Sequence, residues 1–355
     1  MDVHIKDIRV DSDFKGITFS KYKRSSVRKE LLNSIITSKI EEACYWSAEL
    51  ICCGAYSELW EIIILSYTKY IHIGNPKLSI YLDMKFQQFK DVMIKSEVPE
   101  LYMRNNDKIR NIFCEIMCMM CISKKKHSYD QINVSKEDFN MTSGVNKFKA
   151  PNVSYGNKWK KENDTNSLLI GINELAYNLT TSINDNMSAC YWIEWILEYA
   201  NLCKKNKELC ILEPRSYIPV DEKYNTNVVW IIWDILMGEA KRRSKLLEKI
   251  MESLLHLFVI KYVPQCNTRR RYILYFGVTL LTDNINLGIE IVKEDDKIKI
   301  NNVSNNISNI YKQIKMNEVQ NKTGELIKNP SSEEDTTTNK LLVFSMFGDT
   351  YIPRI

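Results

Sequence analysis

The sequence predicts an all-α protein made of two related helical halves. Apolar residues recur at three- and four-residue spacings through most of the chain, as the buried stripe of an amphipathic helix requires. The tetrapeptide ACYW occurs twice, at residues 43–46 and again at 189–192, each time opening an aromatic-rich helical stretch that follows another helical segment. A common order of later features extends the match. A proline followed by a basic residue comes next (Pro76-Lys77; Pro214-Arg215), then an apolar helix running into a basic end (109–122 before Lys124-Lys125-Lys126; 228–240 before Lys241-Arg242-Arg243). Such an ordered recurrence is the mark of a diverged internal duplication. Trp46 and Trp192 are then expected to anchor comparable positions in the two cores.

In order along the chain, residues 1–25 are mixed and charged and read as an arm. A helical pattern starts at residue 26 and runs to 36. In 41–53, Ala43, Trp46, Leu50 and Cys53 fall on one helix face, and Gly54 stands where a helix terminates through the left-handed conformation. Residues 57–71 are apolar nearly all round (Trp60, Ile62, Ile63, Ile64, Tyr67), so this helix should be buried, and Gly74-Asn75-Pro76 stops it. A further helix is expected over 107–122, closing a first half at 1–122. Residues 123–165 hold few aliphatics together with Gly144, Pro151 and Gly156, and read as a linker or insertion.

Helices resume at 168–180, 187–202, 227–243, 244–263 and 268–282, within a second half at 166–316. Ile289 and Ile291, set against Ile298 and Ile300 with Glu294-Asp295-Asp296 between them, fit a small β hairpin near 289–300. Val303, Ile307, Ile310 and Ile314 form one stripe of an amphipathic helix. Residues 317–340 have the composition of a disordered linker, and 341–355 are apolar again.

Composition bounds the function. A hydrophobic fraction of 45% and a charged fraction of 26% are those of a globular protein, and the net charge of +5 tolerates an acidic partner without requiring one. No apolar run is long enough to cross a bilayer. Without a leader-like N-terminus, the ten cysteines are expected to be reduced thiols of a soluble intracellular protein.

Cys114, Cys118 and Cys121 have the C-x-x-x-C-x-x-C spacing of three iron–sulfur ligands. Cluster ligands need a loop that can wrap the cluster, whereas here the thiols continue a helical stripe. Aligning the basic ends of the two halves puts Ile231, Ile235 and Gly238 at the matching positions. The thiols are therefore read as small buried hydrophobes, in preference to a cluster or a zinc site with His127, and no metal or cofactor is expected. His4, His72, His127 and His256 stand in no zinc-protease spacing, and no nucleophile elbow, Walker loop or dinucleotide fingerprint occurs. Glu49 and Glu194 lie in helical segments near tryptophans, where a carboxylate with a structural partner is commoner than a catalytic one.

Basic clusters stand at 21–24, 124–126, 158–161, 241–245 and 269–271. Phosphate binding needs several such groups on one face. Lys241, Arg242, Arg243 and Lys245 with Arg269, Arg270 and Arg271 are the candidates for weak, non-specific nucleic-acid contact. Arginine is notable in a chain so rich in Asn, Ile and Lys, the bias of an AT-rich genome. A solvated surface is the plainer reading of these charges.

Residues 41–78 resemble part of the C-terminal helical collar domain of clamp-loader-like ATPases of the MgsA/RarA type. Ala43, Tyr45, Trp46, Gly54 and Asn75-Pro76 match that pattern in order. The resemblance covers about forty residues, and the ATPase module is absent. It implies an oligomerisation collar and no activity. Composition and the ACYW pair are also similar to uncharacterised proteins of large nucleocytoplasmic DNA viruses. The function expected is a non-enzymatic scaffold or adaptor with protein partners, within a viral replication or transcription assembly. A structural component of the virion or assembly site comes second, and an enzyme of unrecognised type third.

Overall fold

A computed structural model describes residues 3–96, 98–140 and 145–320. Among the described residues there is no sheet; the single ladder-type pairing is an isolated bridge between Ile17 and Lys23. The helices are α1 (Arg24–Ile36), α2 (Ile40–Cys52), α3 (Tyr56–Ser66), α4 (Leu78–Ser96), α5 (Asp107–Ile122), α6 (Ser154–Asn157), α7 (Leu169–Asn178), α8 (Asn186–Asn206), α9 (Val229–Arg243), α10 (Lys245–Val259), α11 (Cys266–Arg269), α12 (Arg271–Thr282) and α13 (Glu294–Lys315). Among the described residues no helix is long and apolar enough to cross a membrane.

The chain forms two compact units. The first takes the described residues of 1–63, 87–122 and 292–355, the second those of 64–86 and 123–291. This division differs from the halves expected at 1–122 and 166–316. The helix over 303–314 belongs to the first unit, because the stripe Ile307, Ile310 and Ile314 is buried where α13 packs on α2 and α5.

In the first unit α2 lies between α1 and α5. Glu41 and Glu42 occupy its first turn, where acidic groups meet the positive end of the helix dipole. At its far end Gly54 takes φ +71°, the left-handed geometry expected of it. Tyr56, Trp60, Phe89 and Phe113 form one aromatic cluster with centroid separations of 5.4–6.0 Å. The N-terminal arm is fastened down. Phe14 and Phe19 are buried, and the Arg9 guanidinium lies 4.9 and 4.6 Å from their ring centroids. The Ile8 N–H donates to the Val319 carbonyl at 3.1 Å.

In the second unit α7 and α8 form a helical hairpin, and α12 packs against α8, α9 and α10. The segment after α3 departs from the expected regular helix. Tyr67–Ile71 is a π-helical turn, and His72 follows at φ +30°. Tyr67 is thereby packed edge-on to Phe276 at 5.6 Å.

Three further differences from the sequence reading follow from packing. Residues 123–165 contribute to the second unit and do not merely link two domains. The Tyr129 hydroxyl donates to Thr279 Oγ1 at 2.8 Å, the Gly156 N–H donates to Asn173 Oδ1 at 2.8 Å, and Trp159 lies on Gly238. The hairpin near 289–300 is absent, since α13 begins at Glu294 and Ile298 is 63% exposed. The expected disorder over 317–340 is testable only at 317–320, and 321–340 and 341–355 lie outside the described residues.

Candidate functional site

The two ACYW helices share their local geometry. Each follows a turn with a left-handed residue five positions before the alanine, Ser38 at φ +60° and Asn184 at φ +48°. In each, the alanine N–H donates four residues back at 3.0 Å, to Lys39 or Asp185. Trp46 and Trp192 are both buried, at 5% and 2% exposure. Each meets the preceding tyrosine edge-on, at 5.0 and 5.2 Å. The neighbourhoods differ further out: α2 packs on α5, whereas α8 packs chiefly on α7 and α12.

The structure does not gather the seven basic candidates on one face. Asn267 donates to Asn227 at 3.1 Å, which places the Arg269–Arg271 region at the start of α9. Lys241, Arg242 and Arg243 end that 15-residue helix, about 20 Å away along its axis. Three arginines have internal roles. Arg270 is buried and donates to the Phe258 carbonyl at 2.5 Å. Arg271 pairs with Glu194 at 3.3 Å, and Arg243 donates to the Leu179 carbonyl at 2.6 Å, satisfying an orphan acceptor at the end of α7. Lys241, Arg242, Lys245 and Arg269 are exposed; Arg242 also pairs with Glu239, and Arg269 donates to Cys266 Sγ.

The buried carboxylates act as clasps. Asp164 accepts both terminal nitrogens of Arg215 at 2.7 Å, the Lys161 N–H at 2.8 Å and the Glu213 N–H at 2.8 Å. Arg215 in turn donates to Asp234 at 2.6 Å. Burial pushes the Asp164 carboxyl up, but the hydrogen bonds and charge of Arg215 and the backbone donors prevail and hold it below the ordinary carboxylate value. Glu174 accepts the N–H groups of Lys149 and Ala150 at 2.9 and 3.1 Å, and Glu49 accepts that of Ser20 at 3.0 Å. Burial raises both of these glutamates. Asp7 accepts Arg9 and the Val319 N–H.

Glu194 lines a cavity of about 370 Å³ with Asn201, Lys204, Tyr224, Asn267 and Arg271. It accepts the Tyr275 hydroxyl at 2.6 Å as well as facing Arg271, and burial raises its carboxyl. Both charged groups of this pair are thus turned toward each other.

The stripe of thiols is divided. Cys114 and Cys118 converge with Cys44 of α2, their three sulfurs lying within 4.8 Å of one another, all buried. Cys121 instead faces the Ser34 carbonyl at 3.9 Å. Cys44 carried no signal of this convergence, because the spacing of thiols within one helix says nothing about a third from another. The Asp164–Arg215–Asp234 network was equally hidden, although Pro214-Arg215 marks its place in the chain.

No protein-family model, curated protein or solved structure matches the chain.

Proposed function

We propose that the chain is a non-enzymatic helical scaffold that holds protein partners. The observation that carries this reading is the deployment of its buried carboxylates. Asp7, Glu49, Asp164, Glu174, Glu194 and Glu239 are each bound to a cation, a hydroxyl or backbone N–H groups of their own unit. A catalytic acid or base must face a substrate with its proton-transfer atom. These groups fasten segments of the fold to one another instead, which is what a rigid platform needs. Glu49, Glu174 and Glu239 hold loops to helices, and Glu194, although it lines a cavity, is held by Tyr275 and Arg271 of α12. The resemblance of residues 41–78 to an oligomerisation collar agrees with such a role. Exposed apolar side chains at Ile94, Val98 and Tyr102, close together in sequence, supply contact area of the kind partners bury.

The test is affinity purification of the full chain from cells that make its natural partners, with nuclease treatment and moderate salt. A protein recovered in stoichiometric amount, and lost when Ile94, Val98 and Tyr102 are changed together to Ser, is the expected result. Recovery of the chain alone overturns the proposal. Loss of the partner on nuclease treatment would transfer support to nucleic-acid binding through Lys241, Arg242 and Lys245.

A further inference from the structure

We propose that Cys44, Cys114 and Cys118 bind a single thiophilic d10 cation, Zn2+ or Cu+, in the core of the first unit. The three sulfurs come from two helices. Cys114 and Cys118 sit on successive turns of α5 and so share a face. Cys44 reaches them from α2, and no sulfur in the group is more than 4.8 Å from another. A cation with metal–sulfur bonds of about 2.3 Å holds its sulfurs about 3.8–4 Å apart. Closure by about an ångström therefore completes the triangle.

The donor set selects the metal. Among the described residues this is the one group of three or more His, Cys, Asp or Glu side chains close enough to share an ion, and it contains only sulfur. Hard cations such as Mg2+ and Ca2+ require oxygen ligands, whereas thiolates favour Cu+ and Zn2+. Ser304 of α13 places its hydroxyl 3.8 Å from Cys114 Sγ. That hydroxyl can hydrogen-bond the Cys114 thiolate, and it or a water would complete tetrahedral Zn2+, while Cu+ is satisfied by three sulfurs. On binding, the S–H protons leave to solvent as metal–sulfur bonds form, and no oxidation state changes.

Packing alone does not call for three thiols at one point. In the second ACYW helix the corresponding Cys190 lies 3.8 Å from Asn186 Oδ1 and belongs to no such group. On α9, Ile231 and Ile235 occupy the positions that match Cys114 and Cys118, and both are fully buried. Aliphatic side chains therefore fill the stripe that sequence alignment matches to the thiols, although α9 packs on other neighbours. A bound ion would join α2, α5 and α13, the helices that bring distant parts of the sequence into this unit. This inference does not depend on the scaffold reading.

The experiment uses the full chain, purified anaerobically under reducing conditions and offered Zn2+, Cu+ or Co2+ separately. One equivalent of metal per chain is expected, with sulfur-to-metal charge-transfer absorption in the Co2+ form and a rise in Tm on loading. Cys118→Ser and Cys44→Ser should abolish stoichiometric binding, while Cys121→Ser and Cys190→Ser keep it. Ser304→Ala should weaken Zn2+ by about 10- to 100-fold and leave Cu+ unchanged if the hydroxyl is a ligand or orients one. Should a serine variant fail to fold, Cys118→Val tests the same point, with far-ultraviolet circular dichroism as the control. Wild-type protein that takes up neither metal stoichiometrically overturns the proposal. So does undiminished binding by the folded Cys118 variants, or a disulfide found among the three thiols in protein kept anaerobic.

Discussion

Trp46 and Trp192 show what one residue contributes when its surroundings are fixed. Each indole is buried beside a tyrosine at the same offset and in the same edge-on geometry. Truncation to Ala removes that buried surface and leaves a cavity the helices cannot fully close. Each substitution is expected to cost about 3–5 kcal/mol, read from denaturant unfolding. A loss below about 1 kcal/mol at either site would show that its indole is not an anchor. Both tryptophans were legible in the sequence, because an apolar helical stripe states which side chains face inward. The arginines were not. A run of Arg269, Arg270 and Arg271 reads as surface charge, yet Arg270 is buried against a carbonyl and the half-buried Arg271 is paired with Glu194. Neighbours in sequence point in different directions on a helix, and only the packing around them decides which one meets solvent.

Among the elements, legibility followed the strength of the period. α2, α5 and α9 carry dense apolar stripes and fall where the sequence puts them. α4 escaped the reading because its stripe of Leu78, Leu82 and Phe89 is thin and set among polar residues such as Gln87, Gln88 and Lys90. The alternating isoleucines near 289–300 misled in the other direction. Glu294, Asp295 and Asp296 lie in the first turn of α13, where acidic groups favour the positive helix end. The stripe ending at Ile314 then carries the helix across the expected strand. The segment 145–165 reveals its role through Gly238 on α9. A Cβ at this position would overlap the Trp159 ring. Gly238→Ala should therefore destabilise by about 1–3 kcal/mol, by displacing the indole. Thermal unfolding followed by tryptophan emission checks this, and an unchanged Tm would show that the ring does not rest on the glycine.

At the scale of the whole molecule, the clasping carboxylates predict how stability depends on pH. Asp164 is held below its unfolded value of 3.8. The folded state therefore binds that proton less readily than the unfolded chain does. The resulting stabilisation is complete above about pH 4 and is lost as pH falls through the lowered folded value. Glu49, Glu174 and Glu194 are raised, so their contributions run oppositely, favouring the fold at low pH and fading as pH rises through their folded values. Asp164→Asn should cost about 3–5 kcal/mol at neutral pH, because it removes a charge partner from buried Arg215. The gap between wild type and variant should narrow below pH 4 in urea titrations. A gap independent of pH would refute the ionised pair.

By itself the sequence determined the all-α class, most helix positions, the glycine stop after α2 and the inward tryptophans. These depend on periodicity and local backbone preference, which neighbouring residues along the chain encode. Tertiary structure alone decided that α13 joins the first unit, that Cys44 meets Cys114 and Cys118, and that Asp164 meets Arg215. It also decided that the basic clusters at 241–245 and 269–271 stand at opposite ends of α9. Each of these is a relation between residues far apart in the chain. Side-chain period fixes the face a helix buries, but the partner on that face is chosen by shape and hydrogen bonding across the folded core.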